Sequence, residues 1–74
     1  MNDNGEILKK RIVESLDSHP EGLTVTDLAR FLDAHRQTVT KYILVLEAVG
    51  LVHRRRIGAV TLHYLKEKWK RLRR

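Results

Sequence analysis

Four side chains that can hydrogen-bond to nucleic acid fall within six consecutive residues: Arg36, Gln37, Thr40 and Lys41. Arginine and lysine donate to guanine edges and to phosphates, glutamine pairs with adenine, and threonine can contact either kind of group. His35 and Thr38 extend the same polar cluster. These residue types could recognise a nucleic-acid surface, and the alternative is an ordinary solvated helix face.

Three consecutive arginines, Arg54, Arg55 and Arg56, form a second basic cluster just before Gly58. Arginines beside a small turn can lie along phosphates or enter a minor groove, whose negative potential attracts them. A solubilising hairpin is the alternative here. Residues 66–74 are also basic, and within them Lys66 and Lys68 are further candidates for contact with phosphates.

Charge is distributed unevenly along the chain. Residues 1–34 contain four Lys or Arg against seven Asp or Glu, whereas residues 35–74 contain eleven against two. A positive field concentrated on one part of a small domain is expected when the partner is a polyanion. At 74 residues the chain is one small domain with a modest core, to which a partner subunit would add stability.

Short helices must position the first cluster. Thr24, with Asp27 three residues later, is typical of a capping box that begins a helix, and this helix should end near Asp33. A second helix is predicted from Arg36 to Val49, and Gly50 should end it. Because only three residues separate the two helices, a crossed helix-turn-helix is favoured.

A scaffold helix and a hairpin complete the predicted elements. An apolar stripe across residues 7–16 predicts the first helix, and residues 51–56 and 60–65 are two predicted strands joined through a turn at Gly58. The base of this hairpin should be apolar and its tip basic. Residues 66–74 could form a short amphipathic helix or be disordered, and an electrostatic arm, a dimerisation helix and a solubilising end suit them equally well.

Apolar residues also fall outside the core stripe of the second helix. Leu44, Val45 and Ala48 are expected to be exposed, so a second copy of the chain or the C-terminal helix should cover them. Trp69 and Leu72 are the candidate interface residues of the tail. A symmetric dimer would present two recognition helices to half-sites about one helical turn, roughly 34 Å, apart.

The segments L-T-x-x-D-L-A (residues 23–29) and T-V-T-K-Y-I-x-x-L-E-A-x-G-L-V (residues 38–52) resemble the winged-helix DNA-binding domains of the MarR, ArsR and IclR classes of prokaryotic transcription regulators. The resemblance covers residues 21–65. It implies a three-helix core, a recognition helix that begins near Arg36 and a β-hairpin wing after Gly50. His35 departs from the pattern, because a Ser or Thr cap is usual at that position.

The chain lacks the residues that metal binding, cofactor binding and catalysis would need. The chain has no cysteine, and His53 and His63 could face each other across the hairpin but would supply only two ligands for a metal. No metal site or cofactor is therefore expected. Because so short a chain leaves no room for a ligand-binding domain, no small-molecule ligand is expected either. A nucleophile with a base, a phosphate-binding loop and a paired set of carboxylates are all missing, so the chain should not be an enzyme. No apolar run reaches the length of a membrane span, which favours a cytoplasmic, nucleoid-associated protein.

The sequence thus predicts a mainly α protein with a small β-hairpin (α+β), a winged helix-turn-helix over residues 1–65 followed by a basic tail over residues 66–74. Its predicted function is sequence-specific binding of double-stranded DNA as a small prokaryotic, archaeal or viral transcription regulator, in the form of a homodimer. The alternatives are a non-specific architectural binder driven by the basic tail and a winged-helix module that binds other proteins.

Overall fold

The computed structural model describes residues 4–72, and the side chains of residues 5–70 within them. Three helices come first, α1 (Asn4–Ser18), α2 (Val25–Leu32) and α3 (Arg36–Ala48). A hairpin of β1 (Val52–Ile57) and β2 (Val60–Leu65) follows, and α4 (Lys66–Leu72) ends the described chain. This order confirms the predicted winged helix. None of the helices within residues 4–72 is long and apolar enough to cross a membrane.

The capping box predicted from the sequence begins α2. The Asp27 N–H donates to Thr24 Oγ1 at 3.0 Å, and the Thr24 N–H donates to Asp27 Oδ2 at 3.2 Å. The helix ends where Asp33 adopts a left-handed conformation, with φ of 53°. The Ala34 N–H then donates to the Ala29 carbonyl, which satisfies a carbonyl of the last turn and turns the chain toward α3.

Glycine ends α3, as the sequence predicts, although the helix stops at Ala48, one residue earlier than expected. Gly50 has φ of 86°, and the Leu51 N–H donates back to the Leu46 carbonyl at 2.9 Å. This left-handed termination reverses the chain into β1. At the other end of α3, the His35 side chain makes no capping hydrogen bond.

The core lies where the three helices and the base of the hairpin meet. Ile12, Leu16, Leu28, Val39 and Ile43 are its most completely buried side chains. The apolar stripes of α1, α2 and α3 therefore face the same interior, and the opposite faces of these helices are available to contact a partner.

The hairpin has a two-residue turn, Gly58 and Ala59, because Ile57 pairs with Val60. This register pairs His53 with Tyr64 and Arg54 with His63. The expectation that His53 and His63 face each other is therefore wrong: a shift of one residue places them on opposite faces of the ladder. No group of three His, Asp or Glu suited to a metal occurs within the described part of the chain.

An isolated bridge joins Leu23 to the edge of the two-stranded sheet. Leu23 pairs with His63, and each backbone N–H donates to the other residue's carbonyl. His63 is buried, and its Nδ1 lies 3.1 Å from the Leu23 carbonyl oxygen. Desolvation by burial lowers the pKa of His63 below its ordinary value of 6.5, so the neutral imidazole is favoured in the folded protein.

Candidate nucleic-acid interface

The first turns of α2 and α3 line one shallow concave surface. Arg36, Gln37 and Thr40 contribute from α3, and Val25 and Thr26 contribute from α2. Three of the residues predicted to recognise nucleic acid are thus brought together.

Arg36 spans the two helices of this surface. Its Nη1 donates to Thr26 Oγ1 at 3.4 Å, which fixes the guanidinium near the beginning of α2. The first N–H groups of a helix lack partners within the helix and carry partial positive charge, so an anion is favoured there. Thr26 was not among the residues predicted from the sequence to lie at this surface. Its position two residues after the cap Thr24, in the first turn of α2, could have indicated it.

The other predicted contact residues in and next to α3 differ in exposure and do not line this concave surface. Lys41 is exposed, with its Nζ 5.4 Å from the centre of the Tyr42 ring, which restrains the lysine beside the helix. His35 is exposed at the beginning of α3. Thr38 is half-buried and does not line the concave surface of Arg36 and Thr40. Its place in a DNA contact stays a prediction.

The wing arginines divide between the two faces of the hairpin. Arg54 and Arg56 lie on one face, where they line a small hollow with Thr61. Arg54 Nε lies 3.3 Å from Glu47 Oε2, an ion pair that joins the wing to α3. Arg55 lies on the opposite face, with its guanidinium carbon 5.4 Å from the centre of the Trp69 ring. Adjacent arginines therefore have different structural roles.

The apolar residues of the wing are not confined to its base, contrary to expectation. Ile57 and Val60, which flank the turn, are each 47% exposed. Arg56 lies beside them and donates from Nε to the Gly58 carbonyl at 3.2 Å. The tip is thus apolar, with the three arginines behind it.

The helix α4 packs on the wing through Trp69, which was expected at an interface between subunits. The indole stacks on the His53 ring, with centroids 4.6 Å apart and planes 16° apart, and its centroid lies 5.0 Å from that of Tyr64. Lys68 Nζ lies 3.5 Å from Asp17 Oδ1 at the end of α1. The Leu72 side chain lies outside the described residues.

The two lysines of the C-terminal segment that were predicted to contact phosphates do not line the concave surface of α2 and α3. Lys68 pairs with α1, and Lys66 lines a cleft with Val13 and Leu51. The structure therefore does not group either lysine with Arg36. Contact of Lys66 and Lys68 with DNA stays a prediction.

An apolar groove runs between α1 and the end of α3. Val13, Val45, Val49 and Leu51 line it, together with charged residues of α1. Leu44 is 50% exposed but does not line this groove, and Ala48 is exposed and does not line it either. Leu44 is separated from Thr40 by four residues and so shares the Thr40 side of α3. The predicted interface residues therefore belong to more than one surface.

Most of the chain matches a known protein family. The model of the MarR family matches residues 7–59, which include most of α1, all of α2, α3 and β1, and the turn of the wing. No curated protein matches the chain.

Proposed function

The chain belongs to the MarR family, whose winged-helix domain has a DNA-binding role in transcription regulation, and we propose that this chain binds double-stranded DNA in a sequence-specific manner. In this proposal the first half of α3 enters the major groove. The wing holds the flanking backbone or the adjacent minor groove. The MarR family is a family of regulatory DNA-binding domains and not an enzyme family.

One observation carries the proposal: Arg36, Gln37 and Thr40 lie on a concave surface that also includes the first turn of α2. A phosphate seated by that turn would fix the register of the protein on the duplex, since such contacts position a protein without reading sequence. Gln37 and Thr40 would then meet base edges. A well-placed bidentate contact contributes about 1 to 3 kcal/mol of discrimination against a wrong base.

Leu44 extends this reading surface. It lies one helical turn beyond Thr40 and is half exposed. An apolar side chain in the major groove can contact the methyl group of thymine. We therefore propose DNA contact for Leu44 as an alternative to its predicted place in a subunit interface.

The wing supports the proposal through charge and attachment. The Glu47–Arg54 ion pair joins β1 to α3 and so contributes to the orientation of the wing relative to the reading helix. Arg56 and Arg54 share one face, and both could neutralise phosphates. Contacts of this kind give affinity that is independent of sequence and falls steeply with salt.

We also propose that the DNA-bound form is a homodimer. The groove between α1 and α3 leaves Val45, Val49 and Leu51 exposed. Its rim contains both signs of charge, with Lys9 paired to Glu6 at 3.0 Å, so two copies related by a two-fold axis could pair opposite charges. Sedimentation of the native chain and of Val49→Glu tests this: the substitution should convert a dimer into a monomer.

Selection from a randomised pool of duplex DNA tests the main proposal. The native chain should enrich a short motif, and an inverted repeat would indicate a dimer. Gln37→Ala should relax the motif at one position, whereas Arg56→Ala should weaken all duplexes alike and lower the salt slope by about one. Salt-sensitive binding without enrichment would indicate an architectural binder. Failure to bind at low salt would indicate a module that binds proteins.

A further inference from the structure

At the tip of the wing, exposed apolar side chains lie next to the basic residues of the hairpin. Exposure rises along the hairpin, and residues 54–60 are all exposed. Ile57 and Val60 pair across the ladder and therefore project from the same face at its end. Gly58 and Ala59, which form the turn between them, are small, so these two aliphatic side chains are the largest apolar groups at the tip.

From this arrangement we propose that the tip of the wing is an apolar wedge that inserts Ile57 and Val60 into the minor groove of duplex DNA and partly unstacks a base step. The inference rests on the proposed DNA binding and adds a deformation of the duplex to it. Aliphatic wedges of this type kink DNA toward the major groove. The arginines behind the tip would hold the phosphates on both sides of the kink.

The positive charge of the wing favours DNA as the partner of this surface. No Asp or Glu occurs between Glu47 and Glu67, whereas Arg54, Arg55 and Arg56 directly precede the tip. A partner that holds Ile57 and Val60 at the tip therefore meets the three positive side chains next, behind the tip. A duplex matches this order, because its phosphates border the groove and its apolar base faces lie deeper.

The dimensions of the hairpin explain why insertion should deform the duplex. Neighbouring strands are about 4.8 Å apart before side chains are added, and the minor groove of B-DNA is only about 6 Å wide. Two aliphatic side chains on a paired ribbon would need a wider groove. Opening is easiest at TA and CA/TG steps, which are flexible and readily kinked. The wedge would therefore contribute a preference for such steps without hydrogen bonds to their bases.

A fluorescent base analogue measures the predicted unstacking. The probe is a duplex of about 25 base pairs with several TA steps, in which 2-aminopurine replaces one adenine at a time. Binding is followed separately by fluorescence anisotropy of an end label. At saturation with the native chain, 2-aminopurine fluorescence should rise at one of these steps. The rise should vanish in Ile57→Thr/Val60→Thr, with an affinity about tenfold lower, which corresponds to about 1.4 kcal/mol.

The control variants separate the effect of the wedge from a loss of folding and from a general loss of DNA binding. Threonine favours strands, and both positions are half exposed, so the double variant should keep the native circular dichroism spectrum. Ile7→Thr makes the same kind of change at a residue of α1 that is 56% exposed, and it should bind and unstack DNA as the native chain does. Ile57→Val should retain the fluorescence rise.

Three outcomes would overturn the wedge. Native binding with unchanged 2-aminopurine fluorescence would refute the wedge alone, while leaving the proposed DNA binding intact. Equal affinity and equal fluorescence of the native chain and the double threonine variant would also refute it. If the native chain gave no anisotropy change at low salt, the proposed DNA binding would itself fail, and the wedge with it.

Discussion

Gly22→Ala should strongly destabilise the protein, because this glycine has both an unusual backbone conformation and a close neighbour. Its φ is 96°, in a region that L side chains rarely adopt, and a Cβ there would lie 2.7 Å from Tyr64 Cε2 and 3.2 Å from Leu62 Cβ. The Tyr64 ring cannot easily withdraw, since it is 4% exposed and in contact with Trp69.

The expected size of the effect follows from three contributions. Left-handed backbone costs about 1 to 2 kcal/mol for an L residue, and overpacking a buried contact costs about 1 to 3 kcal/mol. Reduced freedom of the unfolded chain offsets about 0.4 to 1 kcal/mol. The free energy of unfolding should therefore fall by about 2 to 4 kcal/mol. A domain of this size has about 4 to 11 kcal/mol in total.

Urea denaturation followed by circular dichroism measures this loss, at one fixed protein concentration because association would shift the midpoint. Gly50→Ala is the matched control: φ there is 86°, but no heavy atom lies within 4 Å of the added Cβ. It should lose only the backbone contribution, less the same offset from the unfolded chain, which leaves about 0 to 1.6 kcal/mol. If Gly22→Ala were no more destabilising than Gly50→Ala, the contact with Tyr64 would not constrain residue 22.

Three further substitutions test separate features of the fold. Thr24→Ala should lower the free energy of unfolding by about 1 kcal/mol through loss of the capping box, whereas Thr26→Ala, which removes no cap, should cost less in the same urea titration. His63→Asn should flatten the pH dependence of stability. Burial lowers the pKa of His63 in the folded state, so the contribution of the neutral imidazole to stability is complete above pH 6.5 and is lost as the pH falls through the folded pKa. Denaturation of the native chain and of His63→Asn is measured at about pH 7.5 and 5.5. If this reasoning is incorrect, the difference in unfolding free energy between the two proteins will be the same at both pH values. Trp69→Ala should cost about 2 kcal/mol and loosen α4, which hydrogen exchange of residues 66–72 would detect; unchanged protection would mean that the stacking on His53 does not hold the helix.

Local sequence signals predicted most of the fold. The Thr24–Asp27 capping box, the glycine after α3 and the apolar stripes each depend on residues within a few positions of one another, so α2 and α3 could be placed within about one residue. The hairpin was also predicted, but its register was not. A bend centred on Gly58 would pair His53 with His63, whereas the two-residue turn pairs His53 with Tyr64.

Contacts between residues distant in sequence were beyond such reasoning. The packing of α4 on the wing depends on the rings of His53, Tyr64 and Trp69 meeting only after the hairpin has formed. The hydrogen bond from Arg36 to Thr26 requires the crossing of α2 and α3. Leu44 and Val45 are adjacent in sequence, but only Val45 lines the groove beside α1. Periodicity predicted that both are exposed and could not separate their surfaces.

The ion pair between Arg54 and Glu47 gives the wing arginines unequal predicted effects on DNA binding. Removing Arg55 takes away one positive charge, whereas removing Arg54 also leaves the Glu47 carboxylate without its partner at 3.3 Å. Glu47 is in α3 and joins it to the wing, so its uncompensated charge would repel phosphates held between those elements. Repulsion at about 8 Å near the surface is worth about 2 kcal/mol without salt, and screening at physiological ionic strength reduces it to about 0.5 to 1 kcal/mol.

Arg54→Ala should therefore weaken duplex binding about two- to fivefold more than Arg55→Ala does, measured by anisotropy at one salt concentration. Glu47→Gln in the Arg54→Ala background should remove that excess, because the unpaired carboxylate is gone. In the native background Glu47→Gln should have a small effect, since Arg54 loses a partner but keeps its charge. If the double variant bound no better than Arg54→Ala, the difference between the arginines would arise from direct DNA contacts rather than from the ion pair that joins the wing to α3.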